Sequence, residues 1–148
     1  MYYTIQNGSI LTAENIGALA NYYDNVQELP SDYEVGKYIV VDNELALNPN
    51  YEAEQAQKEA ERINSLTLDS TTFYKEILRT SNNTKNNIQN IIQSTNTLSK
   101  YQKESLIIDL QNNLNLTRGS YFINIVGKLL NYTTEDLNYL FENKIFPN

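Results

Sequence analysis

The chain changes character at Asn48-Pro49. Before that dipeptide, short β-prone runs are separated by turn dipeptides. After it, apolar residues recur at spacings of three and four, the period of a helix. Such a chain can be neither a sheet nor a helical bundle from end to end. It implies an α+β fold in three parts: a small N-terminal β-hairpin unit over residues 1–48, a charged connector helix over 49–66, and a C-terminal helical bundle over 67–148. The full length of 148 residues suffices for one ordinary domain or two very small ones.

Two hairpins are readable in the first part. In YTIQNGSILT, Asn7-Gly8 supplies the positive backbone angles of a type I′ turn between two short strands. In YIVVDNELAL, Asp42-Asn43 does the same, since Asx residues tolerate the left-handed conformation. Leu45 and Leu47 alternate with polar or small neighbours, so one face of this second hairpin is expected to be buried. The intervening ENIGALANYYDNV fits a short helix through Ile16, Leu19 and Ala20. Pro30 with Ser31-Asp32 marks a turn, and Gly36 breaks the chain ahead of the strand that begins at Tyr38.

Asn48 is the expected N-cap of the connector helix, with Pro49 at its first position. Glu52 and Glu54 follow in the first turns, where the helix dipole favours carboxylates. Ala53, Ala56, Ala60 and Ile63 form a thin apolar stripe on a face otherwise made of Glu, Gln, Lys and Arg, and Glu54–Lys58 is an expected i,i+4 pair. From Leu66 on, helix faces are expected at Phe73/Ile77/Leu78, at Ile88/Ile91/Ile92, at Leu106/Ile107/Leu110/Leu114, at Ile125/Val126/Leu129/Leu130 and at Leu137/Leu140/Phe141. Ser99 and Gln102 have the spacing of a capping box. The Asn-rich tract 81–97 is expected to be partly loop and open to proteases. Thr117-Arg118-Gly119-Ser120 reads as an inter-helix turn, with Arg118 beside exposed amides as a hint of anion binding.

The sequence has no Cys and no His. Disulfides, thiolate nucleophiles, Cys/His zinc sites and His-based proton transfer are therefore excluded within it. The carboxylate pairs Glu52/Glu54, Glu59/Glu61 and Glu135/Asp136 fall at first-turn or surface positions of helices. No calcium-loop pattern or glycine-rich phosphate loop is present. The expectation is no catalytic residue, no metal site and no cofactor. No run of about eighteen apolar residues occurs. MYYTIQNGSI lacks the basic region and apolar core of a signal peptide, so a soluble protein without classical export is expected.

The charge of −7 is placed unevenly: residues 1–66 carry 11 acidic and 3 basic side chains, residues 67–148 carry 7 and 8. Phosphate repels such a first half, so no direct nucleic-acid binding is expected of it, whereas docking on a basic surface is permitted. Seven of the twelve Tyr also lie there. Tyr serves equally as an interface anchor and as filler of a small core, and the sequence leaves both open. The candidate protein-binding residues are Tyr22, Tyr23, Asp24, Glu28, Asp32, Tyr33 and Glu34. The aliphatic helix faces of the second half suit packing with themselves or with a second copy of the chain as a homo-oligomer.

The run ELPSDYEVGKYIVVDNELALNPNYEAEQAQKEAERI, together with YFINIVGKLLNYTTEDLNYLF, resembles segments of small phage and prophage tail-fibre and tail-fibre-assembly proteins. In those, a Leu-Pro…Gly-Lys-aromatic-Ile-Val hairpin leads through Leu-x-Leu-Asn-Pro into a Glu/Gln/Lys/Arg-rich helix. The Asn-rich middle departs from that pattern. The resemblance brings no catalytic residues. It implies a non-enzymatic viral protein that binds another protein, a phage tail component. The alternative is a prophage-encoded inhibitor of a host defence effector, of the anti-CRISPR type. Either acts in the bacterial host cytoplasm, the former also in the virion.

Overall fold

The computed structural model describes residues 1–147. The fold is α+β, half of it helical with small antiparallel sheets. The chain divides into two compact units, Met1–Ala56 and Gln57–Asn148.

Unit 1 starts with strands β1 (Tyr2–Gln6) and β2 (Ser9–Ala13), paired from Tyr2↔Ala13 to Gln6↔Ser9. Asn7 and Gly8 have φ of 52° and 75°, the left-handed pair that a type I′ turn demands and that Gly accepts without strain. Helix α1 (Ile16–Ala20) follows, capped by Asn15, whose side chain accepts the Gly17 N–H. The two-residue strand β3 (Gln27–Glu28) then joins the free edge of β1, giving the order β2-β1-β3. Tyr3, Thr4 and Leu19 are buried here, and the Tyr3 hydroxyl ties β1 to β3 by donating to Gln27 Oε1 at 2.9 Å. The second hairpin pairs β4 (Tyr38–Val41) with β5 (Glu44–Leu47) around Asp42 and Asn43, at φ of 51° and 64°.

The second hairpin departs from expectation in its burial. Opposite residues of an antiparallel pair share a face, so Tyr38, Val40, Leu45 and Leu47 lie on one side, and Ile39, Val41, Glu44 and Ala46 on the other. Tyr38, Val40 and Leu45 are only half-buried, and Leu47 is exposed. Two strands are too few to enclose a face, and unit 1 has little else to lay over it.

Helix α2 spans Tyr51–Ser65, two residues later than expected at its start. Asn48 does cap, but it caps a turn: Asn50 N–H donates to Asn48 Oδ1 at 2.9 Å, and Tyr51 N–H donates to the Asn48 carbonyl at 3.2 Å. The first full helical bond runs from Glu54 N–H to the Asn50 carbonyl. Glu54 faces the Asn48 side-chain amide at 3.4 Å in place of the expected Lys58. No residue of α2 is buried, so the Ala53/Ala56/Ala60 stripe is open.

Unit 2 continues with β6 (Thr67–Asp69), α3 (Ser70–Ser81), α4 (Lys85–Ser94), α5 (Lys100–Asn112), β7 (Asn115–Thr117), α6 (Tyr121–Leu129) and α7 (Thr134–Asn143). Its helices enclose one core that includes Phe73, Ile77, Ile88, Ile92, Leu106, Leu110, Phe122, Val126, Leu140 and Phe141. Three capping boxes set helix starts: Thr84 with Asn87, Ser99 with Gln102, and Thr133 with Asp136. At Gly127 the helices α6 and α7 come so close that a Cβ would lie 2.5 Å from Leu137 Cδ1.

The Asn-rich tract 81–97 is non-helical over 82–84 and 95–97 and helical over α4, where Ile88 and Ile92 are buried in the core and tertiary contacts outweigh the weak helix propensity of Asn. Several other expectations fail in this unit. Leu78 and Leu114 are exposed, the latter because α5 ends at Asn112. Burial in α6 falls on Phe122, Ile123, Val126 and Gly127, while Ile125, Leu129 and Leu130 are only partly covered. The strands β6 and β7 were not expected at all. They pair antiparallel with Leu68 opposite Leu116, both buried.

Arg118 is the other surprise. It is 4% exposed rather than available to an anion. Its guanidinium donates to Asn138 Oδ1 and Asn124 Oδ1, each at 2.8 Å, and to the Thr134 carbonyl at 3.4 Å. One side chain thereby joins the end of β7 to α6 and α7 through neutral acceptors, and burial lowers its pKa.

Candidate protein-binding surface

Unit 1 concentrates negative charge. Residues 1–56 hold nine acidic side chains and one basic one, Lys37. Lys37 donates to Asp32 Oδ2 at 2.8 Å and to the Asp32 carbonyl at 3.2 Å. The single side-chain cation is thus already neutralised within its own loop.

The seven residues singled out from the sequence divide into three sets. Asp32, Tyr33 and Glu34 sit in the loop that leads to β4 and are largely used inside it. The Tyr38 hydroxyl donates to Asp32 Oδ1 at 2.8 Å, and the Tyr51 hydroxyl donates to Glu34. Tyr33 stacks on Tyr38 with ring centroids 5.8 Å apart. Asn48 closes the same loop by donating from its side chain to the Gly36 carbonyl at 2.9 Å, while its N–H donates to the Lys37 carbonyl at 2.8 Å. The bonds from Lys37 and Tyr38 hold the Asp32 carboxyl below its ordinary pKa. The same contacts raise Lys37 and Tyr38, and Glu34 raises Tyr51.

Tyr22, Tyr23 and Asp24 follow α1. Tyr22 is 79% exposed and its ring lies tilted against Tyr23, 6.5 Å between centroids. Asp24 is exposed. Glu28 stands apart on β3. It lines a cleft of about 560 Å³ with Met1, Leu29, Pro30, Ser31 and Tyr33, so the structure brings Glu28 and Tyr33 together. No carboxylate cluster able to hold a metal ion is assembled among the described residues.

Comparison with known proteins returns no matching family model, no matching curated sequence and no matching solved structure.

Exposed apolar side chains of this unit also lie outside the seven expected residues. Ile39 and Val41 project from the outward face of the second hairpin, and Val35 from the loop before it. Their signal was present in the run YIVV: four consecutive apolar residues in a strand place apolar groups on both faces. Among the described residues no helix is long and apolar enough to cross a membrane.

Proposed function

We propose that this chain is a non-enzymatic protein-interaction protein whose N-terminal unit docks on a basic surface of another protein, and that it serves a phage or prophage tail as a fibre or assembly component. The observation that carries the docking part is the imbalance of unit 1: nine carboxylates, and one lysine that its own Asp32 neutralises. A field of one sign steers association and speeds encounter with the opposite sign, and it rejects nucleic acid. The non-enzymatic part rests on the absence of His and Cys. The tail assignment rests on the hairpin–Asn-Pro–charged-helix run alone. With it go the bacterial host cytoplasm and the assembled virion as places of action.

The test uses recombinant tail proteins with basic faces and follows association rates. Rising salt should slow association. The double reversal Asp24→Lys/Glu28→Lys should slow it about tenfold. These two are the clean reversals, since Asp32 and Glu34 also hold the loop together. Added RNA or DNA should leave a tail complex intact. Competition by nucleic acid would instead favour a host defence effector as partner. Binding that ignores salt and both reversals would end the docking reading.

A further inference from the structure

The face of the second hairpin that carries Ile39 and Val41 is an apolar sheet face that unit 1 leaves partly open. Ile39 and Val41 are 37% and 46% exposed, and Ala46 lies across from Ile39. Glu44 stands opposite Val41 on the same face, and Asp42 adjoins it at the turn. Neither carboxylate has a cationic partner among the described residues. An aliphatic patch edged at one end by two free acids calls for an occupant with aliphatic side chains and a Lys or Arg placed at that end.

We infer that this face is the contact centre of unit 1, and that its occupant is a segment of a partner protein in which apolar residues alternate with Lys or Arg. The inference rests on the acidic docking reading above and moves the centre of contact from Tyr22–Glu34 to the hairpin. Charge selects this occupant over a second copy of the chain. Two such faces meeting would bring Glu44 against Glu44 and Asp42 against Asp42, inside two units that each carry a large negative excess. Like charges placed across an interface suppress that pairing. The patch supplies what the charge cannot, a desolvated centre where a few side chains hold most of the affinity, with carboxylates around it as the polar rim.

Two probes separate the inference from the reading beneath it. One is a short synthetic peptide alternating lysine with valine; the other is poly-L-lysine, which offers charge alone. Ile39→Thr/Val41→Thr keeps β-branching and strand preference while removing the apolar surface. It should weaken the Lys/Val peptide about tenfold and leave poly-L-lysine unchanged. Asp42→Asn/Glu44→Gln, at exposed positions, is a second variant that does not touch strand packing. It should weaken the Lys/Val peptide and steepen its loss with salt less than the wild-type chain shows. Amide shifts on adding the Lys/Val peptide should centre on residues 38–47. Equal binding of that peptide to wild type and both variants, or shifts centred on residues 22–34, would overturn the inference and leave the charge reading standing. Failure of poly-L-lysine to bind at low salt would overturn both. Sedimentation showing a dimer that Ile39→Thr/Val41→Thr dissolves would overturn the inference by naming a second copy as the occupant.

Discussion

Arg118 shows what a single side chain can settle. Its three bonds go to neutral oxygens on α6 and α7, the last at the first residue of α7. Removing it leaves Asn124, Asn138 and a backbone carbonyl short of a donor and opens a hole. Arg118→Ala should therefore cost about 3 kcal/mol, read as a lower denaturation midpoint. Arg118→Lys should recover only part, since an ammonium cannot span the three acceptors of a planar fork. Gly127 sets two effects against each other. Gly127→Ala gains about 1 kcal/mol of helix propensity. Yet the new methyl meets three atoms of buried Leu137 within 3.4 Å, and overpacking of that kind costs about 1–3 kcal/mol. Packing wins, so the variant should melt lower than wild type by about 1 kcal/mol. Neither role was legible beforehand. An Arg beside a Gly reads as an exposed turn, and a mid-helix Gly reads as a weak point; only the fold shows what each touches.

The tyrosines of the loop before β4 carry a pH signature. Tyr38 and Tyr51 each donate to a carboxylate, Asp32 and Glu34, and both phenols are raised above the ordinary value of 10.0. A folded pKa above the unfolded one stabilises the fold at pH below the unfolded value, and that stability is lost as pH rises through the folded value. Lys37, also raised, acts in the same sense. Asp32, lowered, acts oppositely: its contribution is present above its unfolded pKa and fades as pH falls through the folded one. The loop should hold at neutral pH and loosen at both extremes. Ultraviolet titration should show a late-ionising set of phenols, from which Tyr38 but not Tyr51 moves toward the main set in Asp32→Asn. Uniform titration in the wild-type chain would count against these bonds.

Among elements, those whose signals are local were readable. Both hairpins follow from Asn7-Gly8 and Asp42-Asn43, and α5 starts at the box Ser99…Gln102. The strands β3, β6 and β7 were not. Each is two or three residues long, and its stability comes from a partner far along the chain, as with Leu68 and Leu116. The face of α4 was readable at Ile88 and Ile92, but its capping box was not, because it uses Asn87 where Glu or Gln is usual. Of the candidate site, the acidic charge was legible and the burial was not. Asp32 and Glu34 are engaged in their own loop, while Ile39 and Val41, expected in a strand, are left outside. The start of α2 carries its own test. Asn48→Ala removes the cap on Asn50 N–H and the bond to Gly36. It should cost about 1–2 kcal/mol locally, seen as faster exchange of the Asn50 and Asn48 amides. Unchanged exchange would mean that the β4 loop and the helix start are held by other contacts.

At the scale of the whole chain the two units differ in what holds them. Of the buried hydrophobic residues, only Tyr3 and Leu19 belong to unit 1, while Leu68 through Phe146 belong to unit 2. A unit with so small a core is close to the limit of independent stability. Unit 1 also works against its own charge, since eight of its nine carboxylates have no lysine or arginine bridge within the unit. Net charge of one sign opposes the compact state, and salt screens that repulsion over roughly 8–10 Å at near-physiological strength. Unit 2, with ten basic and nine acidic side chains, has almost no such term. Added salt should therefore stabilise unit 1 selectively. Hydrogen exchange followed at low and at near-physiological sodium chloride should slow for amides of residues 2–13 and 38–47, and change little for the core amides of α3 to α7. The direction is opposite to the effect of salt on binding, where screening weakens the pull of a basic partner. That opposition separates the two consequences of one charge distribution. If exchange in unit 1 quickens with salt, or if both units respond alike, then the acidic surface is not a strain on the fold, and its placement needs another explanation than partner selection.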